Sequence, residues 1–435
     1  MNTVADDIYL SKENKITRNA YIWECAFEYF ISLLISDAYL SSLLSYMNIS
    51  DGMIGVITAL ISFSFIFQLL SLVAVKKIVR VKRTVTVIHF ASQLFFTTMF
   101  FLPFLSASTE MKTGLVIICT VFGYLGSRMV TALIFKWGMT SVDPHKRASY
   151  SATKEMVSLV SGTAVMLLSG YAVDLFAAKG NIEGGFIFLA VVIFAFNLLD
   201  LICLLLMKNP KGNTENTDKE PILKVVVSLF KNKAFLSITV ITVLYFSAMY
   251  LTNSFMGIYK IAKEDLGFTV GEAQVINIVG MLFRFAISKP IGRFSDKTSY
   301  STGFLVGAVM FSVCFFLNIF TSPSARWMIW VYTLLFNGAQ AAMQQNVVNI
   351  TFDYVKEEEF VQATSIKSAI AGGVGFLTSI LGGWIVDAVQ ASGNSFMGIE
   401  VRGQQILSAI SCILSVMLVL FMIFVMKKQK RVDEE

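Results

Sequence analysis

Three carboxylates stand in the first long apolar stretch of the chain, Glu24, Glu28 and Asp37 within Asn19–Met47. A charge in hydrocarbon is costly, so such residues face a partner or a wet cavity, or else take up a proton. Glu24 and Glu28 are four residues apart, about 40° on a helix, and share a face. Asp37 lies nine residues beyond Glu28, near the opposite face of a continuous helix, and its partner is unidentified. Two buried cations stand in other apolar stretches, Arg128 and Arg284. An arginine stays charged wherever it sits, whereas a glutamate is neutralised by burial or held ionised by a cation. Glu28, Glu24 and Arg128 are therefore the candidate proton-coupling residues. Were Glu28 and Arg128 to meet, they would form a permanent structural pair, or Glu28 would take a proton with Arg128 as its switching partner. Glu24 is nearer the Lys/Arg-rich side and is open to the reading of a hydrated neighbour.

A second set suits binding of a polar solute. Asn277 and Arg284 are seven residues apart and share one face. Asn337, Gln340 and Gln344 follow the i, i+3, i+7 pattern of a helix stripe. Amides in a membrane helix bond to adjacent helices or line water or a solute. Tyr245 and Asn253 are candidates for a facing wall, although Tyr245 reads equally as a packing aromatic. Arg284 or Arg128 is suited to gripping an anionic group through two parallel hydrogen bonds. His89, Lys136, Asp174 and Asp387 carry no comparably specific signal.

These residues need a membrane frame. The chain has 435 residues, 55% hydrophobic and 15% charged, with mean hydropathy +0.68, against about 25% charged in soluble domains. Spans of about 20 apolar residues fall at 19–47, 52–75, 84–106, 113–138, 150–176, 185–207, 234–259, 269–292, 300–321, 326–352, 366–390 and 403–426. The expected fold class is an all-α integral membrane protein of twelve transmembrane helices. Its expected organisation is an N-tail 1–18, a six-helix bundle 19–207, a linker with an interfacial helix 208–233, a second six-helix bundle 234–426 and a C-tail 427–435. Segments on one side of these spans hold 27 Lys and Arg and those on the other hold 6. The positive-inside rule then puts both termini in the cytoplasm of a cell-membrane protein. The net charge of +6 is a topology signal, and no nucleic-acid partner is expected. The five cysteines, Cys25, Cys119, Cys203, Cys314 and Cys412, are scattered through apolar runs, and no nucleotide, zinc or haem motif is present. No cofactor and no metal are therefore expected.

The chain also repeats. Residues 150–176 align with 363–389, pairing Lys154 with Lys367, Gly162 with Gly375, Gly170 with Gly383 and Asp174 with Asp387. Two six-span halves of the same hand around a central cavity follow from that repeat.

Twelve spans, a long loop between spans 6 and 7 and a six-plus-six repeat resemble the major facilitator superfamily. Gly292-Arg293-Phe294-Ser295-Asp296-Lys297 is similar to the start of that family's loop signature. The loop between spans 2 and 3 lacks the Gly and Asp but keeps Arg80, Lys82 and Arg83. The resemblance implies a cytoplasmic gate of Asp296 with Arg293, near Lys154 at the start of span 5. It also implies that spans 1 and 4 line the cavity, so that Glu28 and Arg128, about 13 and 15 Å deep by helix rise, meet across it. Tyr124-Leu-Gly-Ser-Arg128 is similar to the family's buried arginine in that helix, while the Gly-Pro signature of drug–proton exporters is absent from span 5.

The expected function is secondary active transport of a small polar or anionic solute by alternating access, proton-coupled, in a monomer. A drug or toxic-compound exporter of the same fold is the alternative, favoured by the three acids of span 1. A membrane sensor or intramembrane enzyme is the remote one, since neither a signalling domain nor a catalytic cluster stands out.

Overall fold

The computed structural model describes residues 11–67, 69, 81–142, 147–209, 228–355, 360–396 and 399–426. All but a two-residue antiparallel ribbon, Ser395–Phe396 with Ile399–Glu400, is helix, turn or loop. The helices are α1 (Lys12–Leu34), α2 (Asp37–Tyr46), α3 (Asp51–Thr58), α4 (Val81–Met99), α5 (Thr109–Met139), α6 (Arg147–Ala178), α7 (Ile182–Leu206), α8 (Lys233–Asn253), α9 (Met256–Ile261), α10 (Val270–Lys297), α11 (Tyr300–Asn318), α12 (Met328–Tyr354), α13 (Phe360–Ala391) and α14 (Gly403–Phe424). A helical turn Leu60–Phe63 and a 3-10 turn Ser64–Phe67 follow α3.

Each of the twelve expected segments contains helix. Among the described residues, eight helices are long and apolar enough to cross a membrane by themselves, or nine counting the bent pair α1–α2. The remainder fall short for reasons visible in their residues. Helix α4 carries Lys82, Arg83 and His89, α12 carries the amide stripe, and the segment Asp51–Phe67 is short within the described residues. The tail 1–10, most of the linker (210–227) and the tail 427–435 lie outside the described residues, as does the greater part of the expected interfacial helix.

The first span is not one continuous helix. It breaks after Leu34, and α1 and α2 meet at 43°. Ser36 is extended and Asp37 takes φ +47°, a left-handed conformation that Asp tolerates better than most L residues. Asp37 is thus the first residue of α2, and the angular argument that set it opposite Glu28 does not hold.

Helix ends are fixed locally. Thr269 and Glu272 form a reciprocal capping box at α10, and the side chain of Asn232 accepts from the amides of Ala234 and Phe235 at α8. Two compact units result, 1–48 with 67–217, and 49–66 with 218–435. In the first, Tyr21, Val130, Trp137 and Leu204 share a core, and the indole of Trp137 donates to the carbonyl of Lys208 at 2.6 Å. In the second, Tyr245, Phe304, Phe311, Phe315 and Tyr332 form an aromatic core with edge-to-face contacts around Tyr245. Residues 49–66 belong to this second unit by packing, on α13. Asp387 of α13 accepts from the amide of Gly52 at 2.9 Å and from the Ser50 hydroxyl at 3.2 Å. An anion at the first turn of α3 is favoured by the helix dipole, which gives the repeat-related Asp387 a defined structural role.

Candidate functional site

In the first unit α1 carries both glutamates, and α4, α5 and α7 supply what they meet. Glu28 is half-buried and accepts a hydrogen bond from the Ser127 hydroxyl at 3.1 Å. Ser127 precedes Arg128 on α5, so Glu28 contacts the arginine's helix one residue away from it.

Glu24 has no accessible surface, which removes the reading of a hydrated neighbour. It lies with His89 of α4 and Asp200 of α7, one ligand-capable atom from each residue falling within 4.8 Å of the others. His89 Nε2 and Asp200 Oδ2 are 3.1 Å apart, and both residues are buried to 1% exposure or less. Sequence reasoning missed this group. His89 alone carried no signal, and the three residues are far apart along the chain. Asp200 did have one, since it is the single charged residue in the C-terminal half of α7, where an acid is a functional candidate by default.

In the second unit the guanidinium of Arg284 on α10 donates to Gln344 Oε1 on α12 at 2.6 Å. The Tyr245 hydroxyl on α8 donates to Gln340 Oε1, and Gln340 Nε2 reaches the Met249 sulfur at 3.0 Å. Tyr245 is 1% exposed and backs this cluster, while Gln344 is exposed. Asn337, one turn before Gln340, donates to the Thr333 carbonyl at 2.9 Å. Its amide packs so closely against Gly280 that a Cβ there would come within 2.4 Å. Arg284, Gln344, Gln340 and Tyr245 therefore gather polar groups from three helices, with Asn337 one turn away on α12. Asn277 is held elsewhere, accepting from Lys260 Nζ at 2.7 Å and donating to Gln274 at 3.1 Å. Asn253 is the exposed last residue of α8.

Of the expected gate, Arg293 is exposed and the side chain of Asp296 lies outside the described residues. Lys154 sits 5.0 Å from the ring centroid of Tyr21 and 5.7 Å from that of Phe135, a cation–π placement within the first unit. Its repeat mate Lys367 is buried and donates instead to Thr351 at 2.7 Å and to the Val347 carbonyl at 3.1 Å.

A third polar group lies in the second unit, at the start of α3, the end of α13, the N-cap of α14 and the loop before α10. Asp51, Asp265, Gln390 and Arg402 line one pocket. Gln390 donates to Asp51 at 2.6 Å, and Arg402 is 3.8 Å from Asp265 and 3.2 Å from Glu400. Burial pushes Asp265 up to about 6, against the opposing pull of Arg402. A carboxyl whose folded value is raised stabilises the fold fully below its ordinary 3.8, and that contribution is lost as pH rises through about 6. Asp265→Asn is expected to be more stable than wild type at pH 7, with the difference shrinking toward pH 4. Melting curves of both proteins across that range check it, and a constant difference would remove Asp265 as the cause.

A sequence profile of the Major Facilitator Superfamily matches residues 25–287 and 241–435. No curated protein matches the chain. Among solved structures, the fold is similar to that of the nucleoside transporter NupG, at 14% identity and TM-score 0.70, over 97% of this chain and 100% of that one. It is similar to a D-xylose–proton symporter at 13% identity and TM-score 0.67, over 94% and 96%. A bacterial homologue of the human lysosomal transporter Spinster, inward-facing and unoccupied, aligns at 14% identity and TM-score 0.64, over 95% and 96%. At these identities the likeness is one of fold, and the profile match over nearly the whole sequence settles the family: this chain is a multi-pass transporter of the Major Facilitator Superfamily, not an enzyme.

Proposed function

We propose that the chain is a proton-coupled secondary transporter of a small polar solute, with anionic solutes the first class to test. The observation that carries this reading is the Arg284–Gln344 contact beside Gln340 and Tyr245. A permanent cation and several amides are gathered on three apolar helices, and Gln344 remains exposed. Such a group in hydrocarbon turns to neighbouring helices, water or a polar ligand, and the exposed Gln344 leaves it open to the last two. Nucleoside and D-xylose carriers of the same fold are named for polar solutes, and the second also for a proton. The solute site is assigned to Arg284, Gln344, Gln340, Asn337 and Tyr245, with Asn277 and Asn253 as outlying members. The coupling site is assigned to Glu28 with Arg128, Glu24 being drawn off into the His89–Asp200 group. Asp296, Arg293 and Lys154 are assigned to the gate. The protein is proposed to work as a monomer in the cell membrane with both termini cytoplasmic, its halves 19–207 and 234–426 rocking about the midplane. The linker 208–233 joins those halves.

A thermal-shift panel of carboxylates, sugars, nucleosides and cationic drugs on purified protein identifies the solute class. Stabilisation by hydrophobic cationic drugs alone would replace this reading with drug export. For the ligand so found, Arg284→Lys is expected to weaken binding about tenfold, because an ammonium cannot reproduce the planar two-bond grip. Unchanged affinity would remove Arg284 from the solute site. Glu28→Gln is expected to abolish accumulation driven by a proton gradient in vesicles while solute exchange at equal concentration continues. A coupled ion drives transport only through a group that binds it differently in the two states. Accumulation that survived in Glu28→Gln would assign coupling elsewhere.

A further inference from the structure

The Glu24–His89–Asp200 group holds more electron-pair donors than there are hydrogen-bond donors reaching them from the other described residues. Glu24 Oε2 accepts from the Cys25 thiol at 3.2 Å, but Glu24 Oε1 and both Asp200 oxygens have no hydrogen-bond partner among the described residues. The two ring nitrogens of His89 have none either. His89 Nε2 and Asp200 Oδ2 approach to 3.1 Å, a contact that is an ion pair when the ring is protonated and that a shared metal ion would replace when it is neutral. One turn along the same helices, the side-chain oxygens of Gln93 and Asn197 are also buried without a donor. Buried acceptors left in this condition cost free energy that a cation would recover.

The spacing suits one ion. Metal–ligand distances of about 2.1 Å put neighbouring ligands about 3.0 Å apart in octahedral and about 3.4 Å apart in tetrahedral geometry. The 3.1 Å nitrogen–oxygen separation matches two adjacent ligands, and a Glu24 oxygen within 4.8 Å of both closes onto the ion by moving inward. Charge balances as well, because two carboxylates and a neutral imidazole bring a divalent ion to zero net charge in a dry site. The Cys25 thiol fixes one oxygen of Glu24 and leaves the other for the ion, as outer-sphere partners do. We propose that Glu24, His89 and Asp200 form a buried site for a divalent first-row transition metal of the Mn2+, Fe2+ or Zn2+ class. One imidazole with two carboxylates suits those ions. Ca2+ asks for six to eight oxygens, and Mg2+ keeps a water shell for which a fully buried triad leaves little space. The bound ion joins α1, α4 and α7 within the first unit. It exchanges slowly, since each ligand is at most 1% exposed and the helices must part to release it.

The inference does not rest on the transport reading, and its test uses no flux. The full-length protein in detergent is stripped with a chelator, loaded with Mn2+ or Zn2+ and desalted. Elemental analysis is expected to find one metal per chain, with a raised melting temperature. Pulsed EPR of the Mn2+-loaded protein is expected to show coupling to one histidine nitrogen, which changes isotope on selective 15N-histidine labelling. The other histidine is His145, and His145→Gln is expected to keep both the metal and the coupling. His89→Gln and Asp200→Asn are expected to lower affinity by at least about tenfold. The wild-type nitrogen signal stands even where those variants fail to fold. Metal retained without histidine coupling would overturn the proposal. So would stabilisation by acid alone with no metal retained, which would make a proton the occupant.

Discussion

Gly52→Ala is expected to lower the melting temperature of the purified protein by several degrees, whereas Gly114→Ala is expected to leave it unchanged or raise it slightly. Both substitutions add one methyl group inside a helix, where alanine is favoured over glycine by up to about 1 kcal/mol. The surroundings decide the sign. A Cβ on Gly52 would lie 2.4 Å from the carbonyl oxygen of Gly383 and 2.5 Å from the carboxyl carbon of Asp387. The first neighbour is backbone of α13 and cannot rotate away. The second is the carboxylate that caps the first turn of α3, so relieving the clash also lengthens that bond. Overpacking of this kind costs about 1–3 kcal/mol, more than the propensity gain. Nothing lies within 4 Å of a Cβ on Gly114. The reciprocal change, Gly383→Ala, meets the Gly52 carbonyl at 2.8 Å and is expected to behave like Gly52→Ala. Thermal unfolding of the three variants in one detergent separates the cases. Equal stability of Gly52→Ala and Gly114→Ala would show that α3 and α13 have room to part.

The elements were legible because hydrocarbon imposes a simple rule, that backbone groups must bond within the segment. Long apolar runs could then only be helices, and the Lys154/Lys367 and Asp174/Asp387 repeat pointed to two halves. The break at Ser36–Asp37 was not legible. The surrounding residues are as apolar as those of a straight span, and the decision lies in two backbone conformations. The α12 stripe was legible by periodicity, and Gln340 and Gln344 do meet Tyr245 and Arg284. Asn277 shares a face with Arg284 in sequence, yet Lys260 from the neighbouring short helix α9 claims its oxygen, a contact no periodicity argument contains. The glutamates of span 1 were visible as costly, but their separation into different surroundings was not. Glu28 meets Ser127 of α5, while Glu24 turns toward α4 and α7, and only packing decides which neighbour a shared helix face reaches.

Cross-linking Ser50→Cys to Asp387→Cys with a short bis-thiol reagent is expected to stop solute flux, and reduction is expected to restore it. The two side chains meet at 3.2 Å. Beside them Gln390 bonds Asp51 at 2.6 Å and the Ser62 hydroxyl donates to the Gly372 carbonyl at 2.7 Å. The residues that follow Ser50 are thus fastened along α13 over several turns. Those residues open the second apolar run, which the internal repeat counts with the first six-span half, yet they pack in the second unit. If the halves 19–207 and 234–426 rock as proposed, this seam releases and re-forms in each cycle. Its contacts suit that duty. They are a few polar bonds and a glycine-to-glycine approach, Gly52 against Gly383, rather than an interlocked aromatic core like that around Tyr245. Each single-cysteine variant treated with the same reagent must retain flux, since Asp387→Cys also removes the α3 cap. The native thiols of Cys25, Cys119, Cys203, Cys314 and Cys412 are buried or half-buried, and replacing them first keeps the reagent to the intended pair. Flux that continued in the cross-linked protein would mean that α3 and α13 travel together. The moving boundary would then fall in the chain before Ile49 and after Ile66, where packing divides the chain, and not where the repeat divides it.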